Sequence, residues 1–151
     1  MTDTFYDDIR EYLLTRIETL PDVGPIHKYY RYSSTVKDLF NLFVLARQFR
    51  GWMFSRESLT PRTTGGNVLY LDHEFVLRPY YGVQDAVGSE LVFQNHLDRV
   101  VHLFETDFRM GGLAVRTSPV SVRRITHRQF AGVVCHSADL ALTVTEARLR
   151  A

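Results

Sequence analysis

A single cysteine, Cys135, excludes an internal disulfide in these 151 residues and cannot alone build a thiolate metal site. It lies in an apolar stretch and reads as a small core residue, not a reactive thiol. Long hydrophobic runs are missing too. None approaches the ~20 residues needed to span a bilayer, so no membrane partner is expected. Residues 1–8 are acidic and lack a basic region followed by an apolar one, so they do not read as a secretory leader. The expectation is a protein made in a reducing cytoplasm. Internal repeats, low-complexity tracts and interdomain linkers are also lacking, and the chain length suits one domain.

Signatures of covalent or metal chemistry are equally scarce. Six histidines are present, but there is no His-Glu-x-x-His and no Cys-x-x-Cys. His96 and His102 are six apart on an expected helix, about 600° of rotation, which puts them on different faces. In 71–74, strand alternation sends Asp72 and Glu74 to one side and His73 to the other. Cys135 and His136 are separated in the same way. No Gly-x-Ser-x-Gly occurs, and Gly65-Gly66 precede a strand where a phosphate loop would need a helix. No residue is therefore assigned to catalysis, to a cofactor or to a metal.

Acidic side chains are missing from residues 108–138, which hold five arginines: Arg109, Arg116, Arg123, Arg124 and Arg128. The net charge of +1 conceals a block pattern of −4 over 1–22, +5 over 23–66, −5 over 67–107 and +5 over 108–151. Two readings remain open: a solvated surface whose signs cancel on folding, or a basic face of one subunit meeting an acidic face of the next. Nucleic-acid binding is a third. However, the sequence pI near 7.9 falls short of a dedicated binder's. In addition, strict alternation would turn Arg123 and Arg124 to opposite faces of a strand.

Hydrophobic periodicity supplies the architecture. Thr4 and Asp7 suit a helix start, and Phe5, Ile9, Leu13, Ile17 and Leu20 recur on one helical face, ended by Pro21 and Gly24. An extended segment over 26–32 carries Tyr29, Tyr30 and Tyr32, and 35–47 reads as a second helix. A strand over 49–55 contains Trp52. Residues 58–66, with Pro61 and paired glycines, read as an exposed mobile loop. Strand alternation over 68–81 follows, with Leu71, His73, Phe75 and Leu77 on one face. A third helix is expected from a cap at Asp85, burying Leu91, Leu97, Val100, Val101, Phe104 and Phe108, and stopped by Gly111 and Gly112. Strands over 113–116, 120–127 and 132–146 complete an α+β domain. The candidate partner-interface residues are Trp52, Arg62, Arg116, Arg123, Arg124 and Arg128.

Certain segments, in order, carry a resemblance. These are Leu-Pro-Asp-Val-Gly ending the first helix, the Tyr-rich segment, the Pro/Gly loop and Tyr-Tyr-Gly closing a strand. Gln-Asp-Ala before the long helix and Phe-Ala-Gly-Val-Val-Cys-His in the last β segment complete the set. Along nearly its full length the chain resembles the tail terminator (tail-completion) and related neck proteins of long-tailed bacteriophages. The resemblance implies a single α+β domain with a mainly antiparallel sheet flanked by about three helices. It further implies a homo-oligomeric ring, a hexamer in most members, that ends tail-tube growth and joins the tail to the head. Implied partners are the tail tube protein and a head-completion or neck protein. The implied location is the virion tail or neck, after assembly in the host cytoplasm. A different head–tail connector of similar fold, or a nucleic-acid-binding accessory protein in direct contact with DNA, are the alternatives. The family has no common active site to transfer.

Overall fold

The computed structural model describes residues 4–21, 23–27, 35–45, 48–63 and 65–149. The Tyr29, Tyr30 and Tyr32 segment lies outside them. The first helix, α1 (Phe5–Glu18), opens on a complete capping box. The Thr4 hydroxyl accepts from the Asp7 amide, and the Asp7 side chain accepts from the Thr4 amide. Its Ile9, Leu13, Leu14 and Ile17 are buried.

Seven strands form one sheet in the order β1 (Ile26–His27), β3 (Gln48–Thr63), β4 (Val68–Gly82), β7 (Val133–Leu149) and β5 (Arg116–Thr117). In addition β2 (Val44–Leu45) pairs with β3, and β6 (Ser121–Phe130) with β7. All pairings are antiparallel except β1 with β3. The fold is a single α+β domain.

Helices α1 and α3 (Ser89–Phe104) cover one sheet face. Trp52, Phe54, Phe75, Leu77, Leu140, Leu142 and Val144 of the strands meet Ile9, Leu13, Ile17, Phe93, Leu97, Val100 and Phe104 of the helices there. Full burial of such side chains contributes about 1.5–3 kcal/mol each, which makes this the principal core. The short α2 (Val36–Asn41) covers one end of the opposite face, where Phe43, Phe49, Met53, Tyr80 and Cys135 form a second cluster with Phe130. Among the described residues, no helix covers the rest of that second face.

Several expectations are corrected. The second helix stops at Asn41, and the chain turns into β2 instead of continuing. Residues 58–63 are not a loop. They are the outer half of β3, paired from Ser58↔Glu74 to Thr63↔Leu69. Pro61 fits there because β3 has a partner on only one side at that point among the described residues, so an amide is not needed on the other. The turn is shorter, around Gly65 at φ +79.

The third helix begins after Gly88, whose left-handed φ of +66 makes it the cap in place of Asp85. That shift changes the buried stripe to Phe93, His96, Leu97, Val100 and Phe104. Leu91 and Phe108 are 68% and 60% exposed. The helix ends at Phe104, ahead of Gly111 and Gly112. The last two long strands join through Ala131 and Gly132, both at positive φ (51° and 76°), the backbone of a two-residue type I′ hairpin.

Candidate assembly surface

Strand parity determines what the uncovered face displays. Cross-strand partners share a face, so Arg62 with Tyr70, Asp72 with Thr145, and Arg116 with Thr145 stand together at the hairpin end. Arg123 stands with Asp139 further in. A bulge in β3 between Arg56 and Ser58 makes this possible: Arg56 points to the helix side, while Ser58 and Arg62 point to the open side.

The centre of the open face is a charge network around Asp139. This carboxylate is largely buried and accepts from Arg78 Nε at 3.1 Å and Arg124 at 3.3 Å, with Arg128 at 4.0 Å. Arg78 also donates to Ser55 at 3.2 Å and pairs with Glu57 at 2.9 Å, and Arg123 lies 3.9 Å from Glu74. The Arg78 hydrogen bond holds the Glu57 carboxyl below the usual range. Burial opposes the charge on Arg78, but Glu57 and Asp139 outweigh it and raise its pKa. Glu57, Glu74, Arg78, Arg123, Arg124 and Asp139 line a shallow cavity of about 190 Å³.

Arg123 and Arg124 therefore share one face, contrary to simple alternation. The register shifts between Arg123 and Thr126, and Arg124 takes a left-handed φ of +56. A bulge re-aims a side chain, and here it turns Arg124 back toward Asp139. No glycine or asparagine marks the position in the sequence, so the signal was hidden.

At the hairpin end a larger cavity of about 460 Å³ is lined by Arg62, Tyr70, Phe108, Val115, Arg116 and Thr145. Arg62 grips Asp72 through two hydrogen bonds of 2.6 and 3.2 Å, and the Thr145 hydroxyl donates to the same carboxylate at 2.7 Å. Arg62 and then Thr145 hold the Asp72 carboxyl below its ordinary range, aided by the Arg116 charge. Arg116 itself forms no ion pair within 4 Å among the described residues. This cavity is apolar in its walls and basic at its mouth.

Of the six residues expected at an interface, five arginines lie on the open face and Trp52 does not. Trp52 is fully buried under the helices, and its indole N–H donates to the Tyr81 hydroxyl at 3.4 Å. Its placement at a contact surface is corrected to the core, where a neighbouring molecule cannot reach it. The consecutive apolar residues Trp52, Met53 and Phe54, all buried, were the readable sign of double-sided burial.

The histidines are held by structural contacts. Tyr81 links Trp52 to the buried His96 Nδ1 at 3.2 Å, while His102 sits on the surface beside Glu105. His73 is buried, with Glu146 at 3.0 Å from Nε2 and Arg56 at 3.4 Å from Nδ1. The Ser89 hydroxyl accepts from the Gln84 amide and is hydrogen-bonded to His136 Nε2 at 2.8 Å, bracing the start of α3 against β7. No carboxylate orients His136 within ion-pair distance among the described residues. Among those residues, no group of three or more His, Cys, Asp or Glu is placed to hold a metal ion, and no helix is long and apolar enough to cross a membrane. Cys135 is buried, and burial pushes its thiol up to about 12.

No protein-family model matches the chain, and no curated protein matches it.

Proposed function

We propose that the chain is a structural subunit that assembles into a homo-oligomeric ring in a phage or phage-like particle, as a tail terminator. One observation carries this reading: arginines outnumber carboxylates on the open sheet face, while acids outnumber arginines in the helix layer behind it. The open sheet face presents Arg62, Arg78, Arg116, Arg123, Arg124 and Arg128 against Glu57, Asp72, Glu74 and Asp139. The opposite layer, α1 and α3, carries six acidic side chains and three arginines. A molecule basic on one side and acidic on the other favours head-to-tail contact between copies, and such contacts close into rings when the rotation allows. The single α+β domain with a mainly antiparallel sheet agrees with the sequence resemblance to tail terminators. The ring is proposed to join the tail tube protein to a neck protein. A neck or connector role in the same kind of particle uses the same surfaces.

A second reading draws on the convergence of Arg123, Arg124 and Arg128 around one site. Three guanidiniums on one face could grip a phosphate backbone, although Asp139 and Glu74 already engage them. The double variant Arg123→Glu/Arg124→Glu separates the two. Under the ring reading it stays folded and assembles more weakly, and wild-type assembly weakens as salt rises. Under the nucleic-acid reading, wild-type protein binds DNA with steep salt dependence and the variant loses that binding. Normal assembly together with lost DNA binding would transfer the assignment to the second reading.

A further inference from the structure

The hairpin-end cavity needs an occupant that is apolar at its tip and acidic beside it. Its walls are Tyr70, Phe108 and Val115, with Phe108 and Val115 still 60% and 46% exposed. At its mouth Arg62 is already neutralised by Asp72, whereas Arg116, near enough for its charge to act on Asp72, forms no ion pair within 4 Å among the described residues. Water covering such apolar walls is released when a fitting side chain enters.

The chain itself carries a matching projection. Before and within the first turn of α3, Val87 and Leu91 are each 68% exposed. Leu91 folds back beside Gly88, its Cδ1 3.9 Å from where a Cβ on that glycine would stand, so the two apolar side chains flank one short turn. Glu90 lies between them in sequence, exposed, and forms no ion pair among the described residues. The projection is thus an apolar pair beside an exposed carboxylate, which also faces the groove of His127 and His136 and acts on the His136 charge.

Projection and cavity lie at opposite ends of the sheet. The start of α3 is tied to β7 at His136 through Ser89, whereas the cavity is built on Thr145. Nine residues of strand separate these points, about 30 Å at roughly 3.3 Å per residue. A chain cannot fill its own cavity across that span, but a second copy can fill it head to tail.

We propose that Val87 and Leu91 of one copy dock in the Tyr70, Phe108 and Val115 cavity of the next, with Glu90 pairing Arg116. The contact is heterologous, since each copy offers both the projection and the cavity on different surfaces. It supplies the ring reading with a specific joint and rests on that reading. The exposed apolar groups provide contact area and the charge pair fixes the register.

A charge exchange tests the joint in the full chain. Four proteins are compared by sedimentation velocity at one concentration and low salt: wild type, Arg116→Glu, Glu90→Arg and the double variant. Far-ultraviolet circular dichroism and thermal unfolding confirm that each is folded. Association is expected to weaken at least ten-fold in each single variant and to return in the double variant, which restores an opposite-charge pair. Leu91→Asp, a change at a solvent-exposed position, is expected to weaken association without lowering Tm. If wild type assembles and all of the variants assemble equally well, this joint is wrong while the ring reading stands. If wild type remains a monomer throughout, the ring reading itself fails, and the joint with it.

Discussion

Arg124 shows how one backbone angle decides the character of a surface. Alternation correctly placed Leu71, His73, Phe75 and Leu77 on the helix side of β4, because that strand runs without a bulge through those positions. The same rule misplaced Arg124, since it assumes a regular strand and the left-handed residue interrupts it. A non-glycine residue in this region is disfavoured by about 1–2 kcal/mol. Comparing Arg124→Gly with Arg124→Ala isolates the effect, because both remove the guanidinium and its bond to Asp139. The glycine variant should be the more stable by about 1 kcal/mol in denaturant unfolding. Equal stability would mean the position is not held left-handed. Trp52 and the arginines differ in the same way: residue type suggested a contact surface for all six, but only burial separates a core indole from exposed guanidiniums.

At the scale of elements, long periodic segments were legible and their ends were not. The capping box of α1 and the alternation of β4 are local signals, and both match the fold. The outer half of β3 was obscured because Pro61, Thr60 and the paired glycines are loop formers by composition. Pairing with β4 overrides that composition at an edge that tolerates proline. Starting the third helix at Asp85, before Gly88, moved its stripe onto Leu91 and Phe108.

The packing of α1 on the sheet also has a pH signature. His73 lies against Phe5 at 4.9 Å between ring centres, under the start of α1. Burial lowers its pKa, outweighing the Glu146 hydrogen bond, and nearby Arg56 and Arg148 act in the same direction as burial. Burial, with His127 nearby, likewise lowers that of His136. A histidine held neutral in the fold binds its proton more readily once unfolded. Its stabilising contribution is therefore complete above the unfolded pKa of about 6.5 and is lost as pH falls below it. Tm should decline from pH 7 toward pH 5, ahead of carboxylate titration, and His73→Gln should decline less steeply. Matching slopes would remove His73 from this account.

For the whole molecule, the sequence displayed the charge blocks but not their arrangement. Blocks far apart in the chain reach one face only through the β4–β7 pairing, which brings Asp72 beside Thr145, and through β6–β7, which brings Arg123 beside Asp139. The cavity was not legible at all, because Arg62, Tyr70, Phe108, Val115 and Arg116 come from three separate stretches. The α+β class was legible because it follows from element type and order. The central claim is self-association through unlike faces, and the mass of the protein in solution tests it most directly. Sedimentation equilibrium at low salt should give a closed species near six times the 17.5 kDa chain, shifting toward monomer as salt rises. A 17.5 kDa monomer at every concentration and ionic strength would contradict it.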